Sequence, residues 1–421
     1  MTPVEKKLLE TVDGLAPQIV DFTKRLTAEP STLGNEASVL KVVESEMAGL
    51  GIAFEKVPID PETLSSHPGF APVPWSYEDR YNVVGLRPAD GEGGRSALFN
   101  GHLDVVSAEP LGRWDRDPFD PFEKDGWLYG RGAGDMKAGV AAMSYAVHAV
   151  NTAGMGLKAP VTLEMVIEEE CTGNGALACQ AAGFDADAVL IPEPFGPTIL
   201  TSQVGVAWFK VVLDGVSSHV LNTGAGVNAI EKCYPLMAAL RQLEDELNRE
   251  KSAEFAQIPH PANLNIGVIR GGDWPSTVPA WAEFECRVGF LPGVRFEALR
   301  EKVTSCIERA AAEDPWLMKN PPKVEFFGFR SEGHSIDWNQ PAFKLLSACQ
   351  EELSGRPAER FAATCTTDLR SFVHFGRGQA TCFGPVAENI HGANERVNLE
   401  SILHTARAYA LFLARWCGIA E

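Results

Sequence analysis

Short apolar runs alternate with helical segments between about residue 95 and residue 193. The runs SALFN, VTLEMVI and DAVLI are typical of strands, and the segments MKAGVAAMSYAVHAV and GALACQAAGF between them have helical spacing. Val140, Met143, Val147 and Val150 share one face of the first of these helices. This β-α-β-α-β order predicts an α/β fold with a mixed, mostly parallel sheet flanked by helices.

Each of these predicted strands ends in polar residues that can carry chemistry. SALFN leads into Gly101-His102-Leu103-Asp104, VTLEMVI into Glu168-Glu169-Glu170, and DAVLI into Pro192-Glu193-Pro194. Ligand sites in such sheets lie at the carboxyl ends of the strands. We therefore expect the three strand ends to converge on one crevice.

The pattern changes after about residue 203. VGVAWFKVVLDG, NLNIGVIRGG, AEFECRVGF and PKVEFFGF read as strands, and GVNAIEKCYPLMAALRQLEDELNRE and FEALREKVTSCIERAAAE read as long helices. Their β-α-β-β-α-β order is typical of a ferredoxin-like α+β sandwich. We predict an inserted domain at 203–332 between two parts of a main domain, 1–202 and 333–421. At the start of the chain, we predict that the first 26 residues form one helix.

Composition narrows the class of protein. Hydrophobic residues make up 45% of the chain and charged residues 22%, and no apolar run approaches the roughly 20 residues that span a bilayer. The net charge of -19 argues against nucleic-acid and anionic-membrane partners, because phosphate binding needs clustered Lys and Arg. The nine cysteines include no CxxC pair. We therefore expect a soluble cytoplasmic protein without a signal peptide.

His102 and Asp104 form the first candidate pair. They lie two residues apart in an extended segment, so their side chains point the same way. A metal-ligating imidazole usually donates its other N–H to a carboxylate, which makes His102 a candidate ligand and Asp104 its orienting partner. A strand-end histidine with an aspartate neighbour is the alternative, and the pair taken alone favours it.

Asp135 follows a glycine-rich turn at a predicted helix start, within 130–139. Taken alone, an aspartate at this place is more often a helix N-cap than a metal ligand. A phosphate-binding glycine loop is disfavoured, because no predicted strand runs directly into the glycines and a carboxylate stands where phosphate would dock.

Three adjacent carboxylates, Glu168–Glu170, end the second predicted strand. If they are buried they need a cation, and if they are exposed they are only a charged turn. Adjacent glutamates can divide the work, because one binds metal while its neighbour takes a proton from a metal-bound water. With Glu193 and His391, the candidates form a mixed nitrogen and oxygen set that suits zinc and, less tightly, cobalt or manganese.

Taken together, these motifs resemble those of one family. GHLDVV, WLYGRGAGDMKAG, EEECTGNG, PEP, SSH, GVNAI and HGANE occur in the order and spacing of the M20 metallopeptidase and aminoacylase family, in the subgroup of acetylornithine deacetylases and succinyl-diaminopimelate desuccinylases. The resemblance runs nearly end to end, from Pro30-Ser31 to the terminal helix. It implies a catalytic main domain with a two-zinc centre and an inserted lid and dimerisation domain.

The resemblance also implies roles at the metal centre. It implies five ligands for two zinc ions, which cobalt or manganese can replace: His102 and Glu193 on one ion, Glu170 and His391 on the other, and Asp135 as the bridge. Glu169 would be the general base and Asp104 the orienting partner of His102. Glu395 would be a further partner of the metal site.

Four more residues match positions that contact the substrate in relatives. His219 resembles a lid histidine that reaches the partner's active site in dimeric members, so the resemblance implies a homodimer through the inserted domain. Asn228 and Arg287 match contacts to a substrate carboxylate, which an arginine binds through two parallel hydrogen bonds. Arg370 lies in a loop that lines the pocket in relatives. A surface histidine, a helix-cap asparagine and structural arginines are the alternatives.

Two departures from the family pattern bear on the substrate. Ser276 stands where an amide binds substrate in the desuccinylases, and Cys365 and Thr366 replace common glycines at the pocket wall. We expect a metal-dependent hydrolase of the amide bond of a small N-acyl amino acid, similar to acetylornithine deacetylase. A dipeptidase or carboxypeptidase, a deformylase of another amine and a non-catalytic binding protein are the alternatives, and the intact Glu169 disfavours the last.

Overall fold

The structure, a computed structural model, describes residues 1–420. Its α-helices, in chain order, are α1 (Pro3–Gly14), α2 (Ala16–Thr27), α3 (Ala37–Gly49), α4 (Pro61–Leu64), α5 (Ala138–Thr152), α6 (Asn174–Ala181), α7 (Ala229–Leu247), α8 (Phe296–Ala312), α9 (Pro341–Ser354), α10 (Leu369–Phe375) and α11 (Leu399–Trp416). None of the helices in this range is long and apolar enough to cross a bilayer.

The strands are numbered in the same way. They are β1 (Ala53–Pro58), β2 (Tyr81–Arg87), β3 (Ala97–His102), β4 (Phe122–Lys124), β5 (Trp127–Tyr129), β6 (Gly156–Leu157), β7 (Val161–Val166), β8 (Ala188–Ile191), β9 (Thr198–Gln203), β10 (Gly205–Asp214), β11 (Leu264–Gly271), β12 (Trp281–Phe290), β13 (Lys323–Ser331), β14 (His334–Ser335), β15 (Glu359–Ala363), β16 (Gln379–Cys382), β17 (Ala387–Glu388), β18 (Arg396–Asn398) and β19 (Ile419–Ala420).

A six-stranded mixed sheet positions the candidate site. Its strand order is β1-β2-β7-β3-β8-β16. The strands from β7 to β16 in this order are parallel to one another, whereas β2 pairs antiparallel with both β1 and β7. The predicted mixed, mostly parallel sheet with flanking helices is confirmed, and the pattern between residues 95 and 193 corresponds to β3, α5, β7, α6 and β8.

Helix α5 lies in the middle of the helical layer on one face of this sheet. It packs against α11, α1 and α2 as well as against strands β3 and β7. Small buried side chains such as Ala142 and Ala146 let these neighbours approach closely. The predicted helix is present, but it is buried on nearly all sides, so the single apolar face read from the sequence understates its burial.

A second sheet follows β9. Strands β10 to β13 pair antiparallel in the order β11-β12-β10-β13, and α7 and α8 pack against the sheet. We call this assembly the four-stranded unit. It has a core of its own, in which Phe209, Phe284 and Leu299 are fully buried. The element order agrees with the β-α-β-β-α-β pattern, and the domain boundaries at 202/203 and 332/333 stay predictions.

Two local predictions are wrong. The first 26 residues form two helices, α1 and α2, that break at Leu15. Pro17 lies in the first turn of α2, and proline both lacks the N–H that would continue a helix and fits such a first turn. A short strand, β5, runs directly into Gly130, although no strand was predicted there.

Candidate metal centre

Three neighbouring strands deliver acidic and imidazole side chains to one edge of the six-stranded sheet. β7, β3 and β8 are adjacent and parallel, so their carboxyl ends lie side by side. His102 is the last residue of β3, Glu168–Glu170 follow β7 closely, and Glu193 follows β8. The structure thus brings together the three strand ends singled out in the sequence.

Asp135 lies between the two candidate histidine ligands. Its Oδ1 is 3.2 Å from Nε2 of His102, and its Oδ2 is 3.5 Å from Nε2 of His391. Oε1 of Glu170 is 3.1 Å from the same nitrogen of His391. Asp135 thus presents one carboxylate oxygen to each histidine, which agrees with the predicted bridging role.

The side chains gathered at this sheet edge are called the metal cluster below. Glu169 and Glu193 form its buried side. Their candidate ligand atoms and that of His102 lie within 4.8 Å of one another. The two glutamates are 6% and 3% exposed, and Oε1 of each has no hydrogen-bond partner. Burial raises the pKa of both carboxyls well above the usual range. Because buried carboxylate oxygens without partners are costly, this donor set fits a bound cation.

The pKa values of His391 and Asp135 also indicate a site that favours positive charge. Burial acts to lower the pKa of His391, but hydrogen bonds to Asp135 and Glu170 outweigh it and raise the pKa to about 11. Burial also opposes ionisation of Asp135, yet hydrogen bonds from His102 and His391 hold its pKa below the usual range. The carboxylates therefore stabilise a cation in their midst, and mixed nitrogen and oxygen donors of this kind suit zinc, cobalt or manganese.

Asp104 holds the backbone that carries the two glutamates. Its carboxylate accepts hydrogen bonds from the backbone N–H groups of Glu169 at 3.2 Å and Glu170 at 3.1 Å. Nδ1 of His102 lies 2.9 Å from the backbone carbonyl oxygen of Asp104 and 3.7 Å from its carboxylate. The main chain of Asp104 therefore orients the imidazole here, and the predicted contact through the carboxylate is longer than a hydrogen bond.

Glu395 fills the glycine-rich turn that precedes Asp135. Its carboxylate accepts hydrogen bonds from three backbone N–H groups within 132–135 at 2.9–3.1 Å, and from Nη1 of Arg131 at 2.6 Å. Converging N–H groups of this kind form an anion site, which here holds a side chain of the protein itself. Glu395 thereby occupies the place of a phosphate and ties the Asp135 turn to the loop that carries His391.

Glu168 has a positioning role that the sequence did not indicate. Its side chain is fully buried, and its backbone lies in the left-handed region at φ 68°. Its carboxylate accepts four hydrogen bonds, from Trp75 Nε1 (2.6 Å), the Tyr77 hydroxyl (2.5 Å), Arg80 Nη1 (2.6 Å) and the Thr172 hydroxyl (2.7 Å). These bonds hold a strained turn that aims the next two glutamates at the cluster. Nothing local could have revealed it, because three of the donors belong to a distant loop.

A cavity of about 570 Å³ opens beside Glu169, Glu170 and His391. The four-stranded unit supplies its opposite wall, which includes Val206, Trp208, Asn263, Arg287, Phe327 and Phe329. Cys365 and Thr366, which depart from the family pattern, also line it. The metal cluster is therefore open to a small molecule held between the two sheets.

Two predicted substrate contacts, Arg287 and Arg370, donate to protein oxygens. Nη1 of Arg287 donates to Asn263, and Nη2 donates to the carbonyl oxygen of Thr364 at 2.7 Å. Arg370 lies outside the cavity lining, and its Nη2 donates to the carbonyl oxygen of Thr172 at 2.7 Å. Arg287 thus joins the four-stranded unit to the 364–370 loop, and Arg370 joins that loop to the segment after Glu170. Their contacts with substrate stay predictions.

His219 and Asn228 lie outside the cavity of their own chain. His219 is exposed, and its Nδ1 accepts a hydrogen bond from the backbone N–H of Leu221 at 3.1 Å. Asn228 caps α7, because its Oδ1 accepts the backbone N–H groups of Ile230 and Glu231. The structure therefore does not bring either predicted residue to the metal cluster within one chain.

The arrangement contains the parts needed for metal-assisted amide hydrolysis. Divalent cations held by the histidines and carboxylates around Glu169 would supply Lewis acidity toward an amide carbonyl and would lower the pKa of a water molecule. Glu169 borders both the cluster and the cavity, so its carboxylate can take a proton from water and return it to the leaving nitrogen.

Comparisons with known sequences point to the same chemistry. Residues 98–415 match the model of Peptidase family M20/M25/M40. The chain is 27% identical over 370 residues to N-formyl-4-amino-5-aminomethyl-2-methylpyrimidine deformylase of Bacillus subtilis, covering 83% of this chain and 86% of that protein. It is 30% identical over 284 residues to acetylornithine deacetylase of Salmonella arizonae, with 67% and 70% covered. It is 27% identical over 399 residues to succinyl-diaminopimelate desuccinylase of Bordetella avium, with 91% and 94% covered.

Solved structures share the fold. A dipeptidase of Saccharomyces cerevisiae superposes with a TM-score of 0.82 at 15% identity, covering 100% of both chains. Human carnosine dipeptidase 1 superposes with a TM-score of 0.76 at 17% identity, covering 98% of this chain and 99% of that one. Because the family model matches well over half of the sequence, the protein belongs to Peptidase family M20/M25/M40 and is a metal-dependent hydrolase of carbon–nitrogen bonds.

Proposed function

We propose that the chain is a two-zinc amidohydrolase that removes a small acyl group from the nitrogen of a small amine, with Glu169 as the general base. The observation that carries this proposal is the position of Glu169. Its buried carboxylate has one oxygen without a partner, lies within 4.8 Å of neighbouring ligand atoms and borders the cavity. Cobalt and manganese suit the same donors less tightly.

The proposed proton path runs through Glu169 alone. Its carboxylate takes a proton from the attacking water, and the protonated carboxyl then gives that proton to the nitrogen of the leaving amine. His102, Asp135, Glu170, Glu193 and His391 would hold the two zinc ions, whose Lewis acidity stabilises negative charge on the amide oxygen.

The metal centre recognises only the amide bond, so the proposal covers more than one kind of amine. The names of relatives include acylated amino acids, namely acetylornithine and succinyl-diaminopimelate, and an N-formylated aminomethylpyrimidine. An N-acyl amino acid is the substrate predicted from the sequence, and deformylation of another amine is the second candidate. Three aromatic side chains in the cavity lining, Trp208, Phe327 and Phe329, favour this second candidate.

We further propose that the chain acts as a cytoplasmic homodimer. Large apolar side chains are exposed on the four-stranded unit and in its loops, among them Leu221, Tyr234, Ile269 and Trp274. Large apolar side chains that stay exposed on a folded unit are candidates for burial in an interface. His219 belongs to the same region and is free to reach a partner's cavity, because it makes no contact with the cluster of its own chain.

Glu169→Gln tests the proposed base. We expect zinc content to stay at two ions per chain while amide hydrolysis falls by at least about 100-fold, because the amide cannot accept the proton. Glu193→Gln is the comparison that should lose zinc as well as activity. The measurements are metal content by elemental analysis and amine release from N-formyl, N-acetyl and N-succinyl amides. Activity retained in Glu169→Gln would show that another group is the base.

A further inference from the structure

The cavity beside the metal cluster has an aromatic wall. Trp208 on β10 and Phe327 and Phe329 on β13 line it. The centroid of the Trp208 ring lies 5.9 Å from that of Phe327 and 5.1 Å from that of Phe329, with the ring planes at 61° and 83°. Such edge-to-face packing fixes the rings in place. Trp208 and Phe327 are only partly buried, so the protein does not cover this apolar surface itself.

The backbone is shaped to present the Trp208 ring. Gly328 stands between the two phenylalanines at φ 58°, and a Cβ added there would lie 2.6 Å from Cε3 of Trp208. The pairing of β10 with β13 also shifts register between Ala207 and Trp208. A bulge of this kind re-aims a side chain. Gly328 therefore leaves room for the Trp208 ring, and the two unpaired β13 residues, Gly328 and Phe329, place the Phe329 ring against it.

No arginine in the cavity lining has an unused pair of terminal N–H groups that could bind a carboxylate. Arg287 is the single Lys or Arg among its lining residues. An arginine binds a carboxylate through a free pair of N–H groups, and both terminal nitrogens of Arg287 donate to Asn263 and Thr364 instead. A substrate that binds here gains more from apolar ring contacts than from recognition of a carboxylate.

We propose that the amine released by this enzyme carries a flat aromatic or heteroaromatic ring and no carboxylate beside its nitrogen, and that Trp208, Phe327 and Phe329 bind that ring. The inference rests on the proposed amide hydrolysis and names its substrate class. Water adds its oxygen to the acyl carbon as the carbon–nitrogen bond breaks, and both of its protons end on the amine nitrogen, which leaves a carboxylate and an ammonium ion that carries the ring.

Three matched amides separate the ring from the carboxylate. N-formylbenzylamine has the ring alone, N-formylphenylalanine has both groups, and N-formylalanine has the carboxylate alone; the N-acetyl series is measured beside them. We expect kcat/KM of the zinc-loaded enzyme to be highest for the benzylamide and about tenfold or more lower for the alanine derivative. A higher kcat/KM for N-formylalanine or N-acetylalanine would overturn the ring assignment while leaving amide hydrolysis in place.

Substitutions of Trp208 and Phe327 test whether these side chains bind the ring of the substrate. Trp208→Leu and Phe327→Leu keep apolar volume and remove a ring, whereas Trp281→Leu changes a tryptophan of the same unit that is 42% exposed and outside the cavity. We expect KM for N-formylbenzylamine to rise about three- to tenfold in the first two variants, with kcat nearly unchanged and with no change in the control. Equal KM values in Trp208→Leu and Trp281→Leu would contradict the assignment.

Binding of 4-fluorobenzylamine gives a readout that does not need turnover. We expect its fluorine resonance to broaden with the zinc-loaded enzyme and with Trp281→Leu, and to stay sharp with Trp208→Leu. Broadening without hydrolysis of any amide would retain the ring site and overturn the proposed function. An unbroadened resonance with the unaltered enzyme would overturn the ring site, whatever amides are hydrolysed.

Discussion

Glu395 lies beside the metal centre without being one of its proposed ligands. Glu395→Gln replaces an acceptor oxygen by an NH2 group that faces the N–H donors of 132–135 and Arg131. We expect zinc affinity to fall roughly 10- to 100-fold, as for other groups that orient ligands. Competition with a chelator measures this affinity. Glu388→Gln, whose carboxylate binds Arg396 on the surface, is the control, and equal affinities in the two variants would contradict the role of Glu395.

Glu164 makes stability depend on pH at a single residue. It is fully buried on β7, and burial, opposed by the hydrogen bond from Asn100 and assisted by Asp368, raises its pKa from 4.5 to about 8. A raised folded pKa gives a contribution that is complete below pH 4.5 and is lost as the pH rises toward 8.

We expect Glu164→Gln to remove this pH dependence. Between pH 6 and pH 8 the unaltered protein should lose up to about 1.4 kcal/mol of unfolding free energy per pH unit relative to the variant. Denaturant unfolding at several pH values measures the difference. Glu55→Gln, an exposed change on β1 of the same sheet, should follow the unaltered protein. Parallel curves for Glu164→Gln and the unaltered protein would show that Glu164 ionises normally.

The candidate ligands could be found in the sequence because each lies in a short motif next to a predicted strand or turn. The groups that hold them could not be found in this way. Glu168 depends on Trp75, Tyr77 and Arg80, and Arg287 depends on Thr364, all from distant parts of the chain. A motif shows which side chain is present, whereas tertiary packing decides which hydrogen-bond partners that side chain has.

Helix α6 is flanked by two glycines with positive φ, and they provide a matched pair of substitutions. A Cβ at Gly173 would lie 1.8 Å from Nη2 of Arg370, whereas a Cβ at Gly183 would meet nothing within 4 Å. Both positions carry backbone strain for alanine, of about 1–2 kcal/mol. Only Gly173→Ala should also displace Arg370 from the carbonyl oxygen of Thr172.

We therefore expect Gly173→Ala to lower both unfolding free energy and kcat, because the displaced loop follows Glu169 and Glu170 directly. Gly183→Ala should lower unfolding free energy by the strain alone and leave kcat unchanged. Denaturant unfolding and turnover of one amide measure the two effects. Similar kcat values for both variants would show that Arg370 does not position the catalytic loop.

At the scale of elements, the order of strands and helices followed from hydrophobic spacing because each element is long enough to show its period. The exceptions have local causes. Pro17 divides an apparently continuous helix, and β5 is a three-residue strand, too short for a periodic pattern. The almost complete burial of α5 depends on α11, which lies far along the chain and could not be inferred from the spacing within α5.

The proposed dimer makes a quantitative prediction for the whole molecule. His219→Ala and Glu169→Gln should each be nearly inactive alone. If His219 acts in the partner's cavity, a heterodimer of the two has one intact site out of two, and a refolded equal mixture should recover about one quarter of the unaltered activity. Turnover of the mixture measures this. No recovery, with subunit exchange shown by differently tagged chains, would place His219 in its own site or outside catalysis.

The cavity is a property of the whole molecule, because one wall belongs to the four-stranded unit and the other to loops of the rest of the chain. Sequence patterns indicated both sheets, but they could not indicate which faces meet across the cavity. Trp208, Phe327 and Phe329 belong to the four-stranded unit, whereas Cys365 and Thr366 come from the loop before α10. The spacing of the wall depends on how the two sheets pack, and no local pattern records that packing.

The hydrogen bonds between Glu395 and the Asp135 turn join parts of the chain that the ribosome makes at different times. His102, Asp135, Glu170 and Glu193 are synthesised before the four-stranded unit, whereas His391 and Glu395 are synthesised after it. A nascent chain that ends within that unit has all three proposed acidic ligands but lacks both the second histidine and the carboxylate that holds the glycine turn. Metal binding by the complete proposed centre therefore belongs after translation of the unit, as a late step of folding.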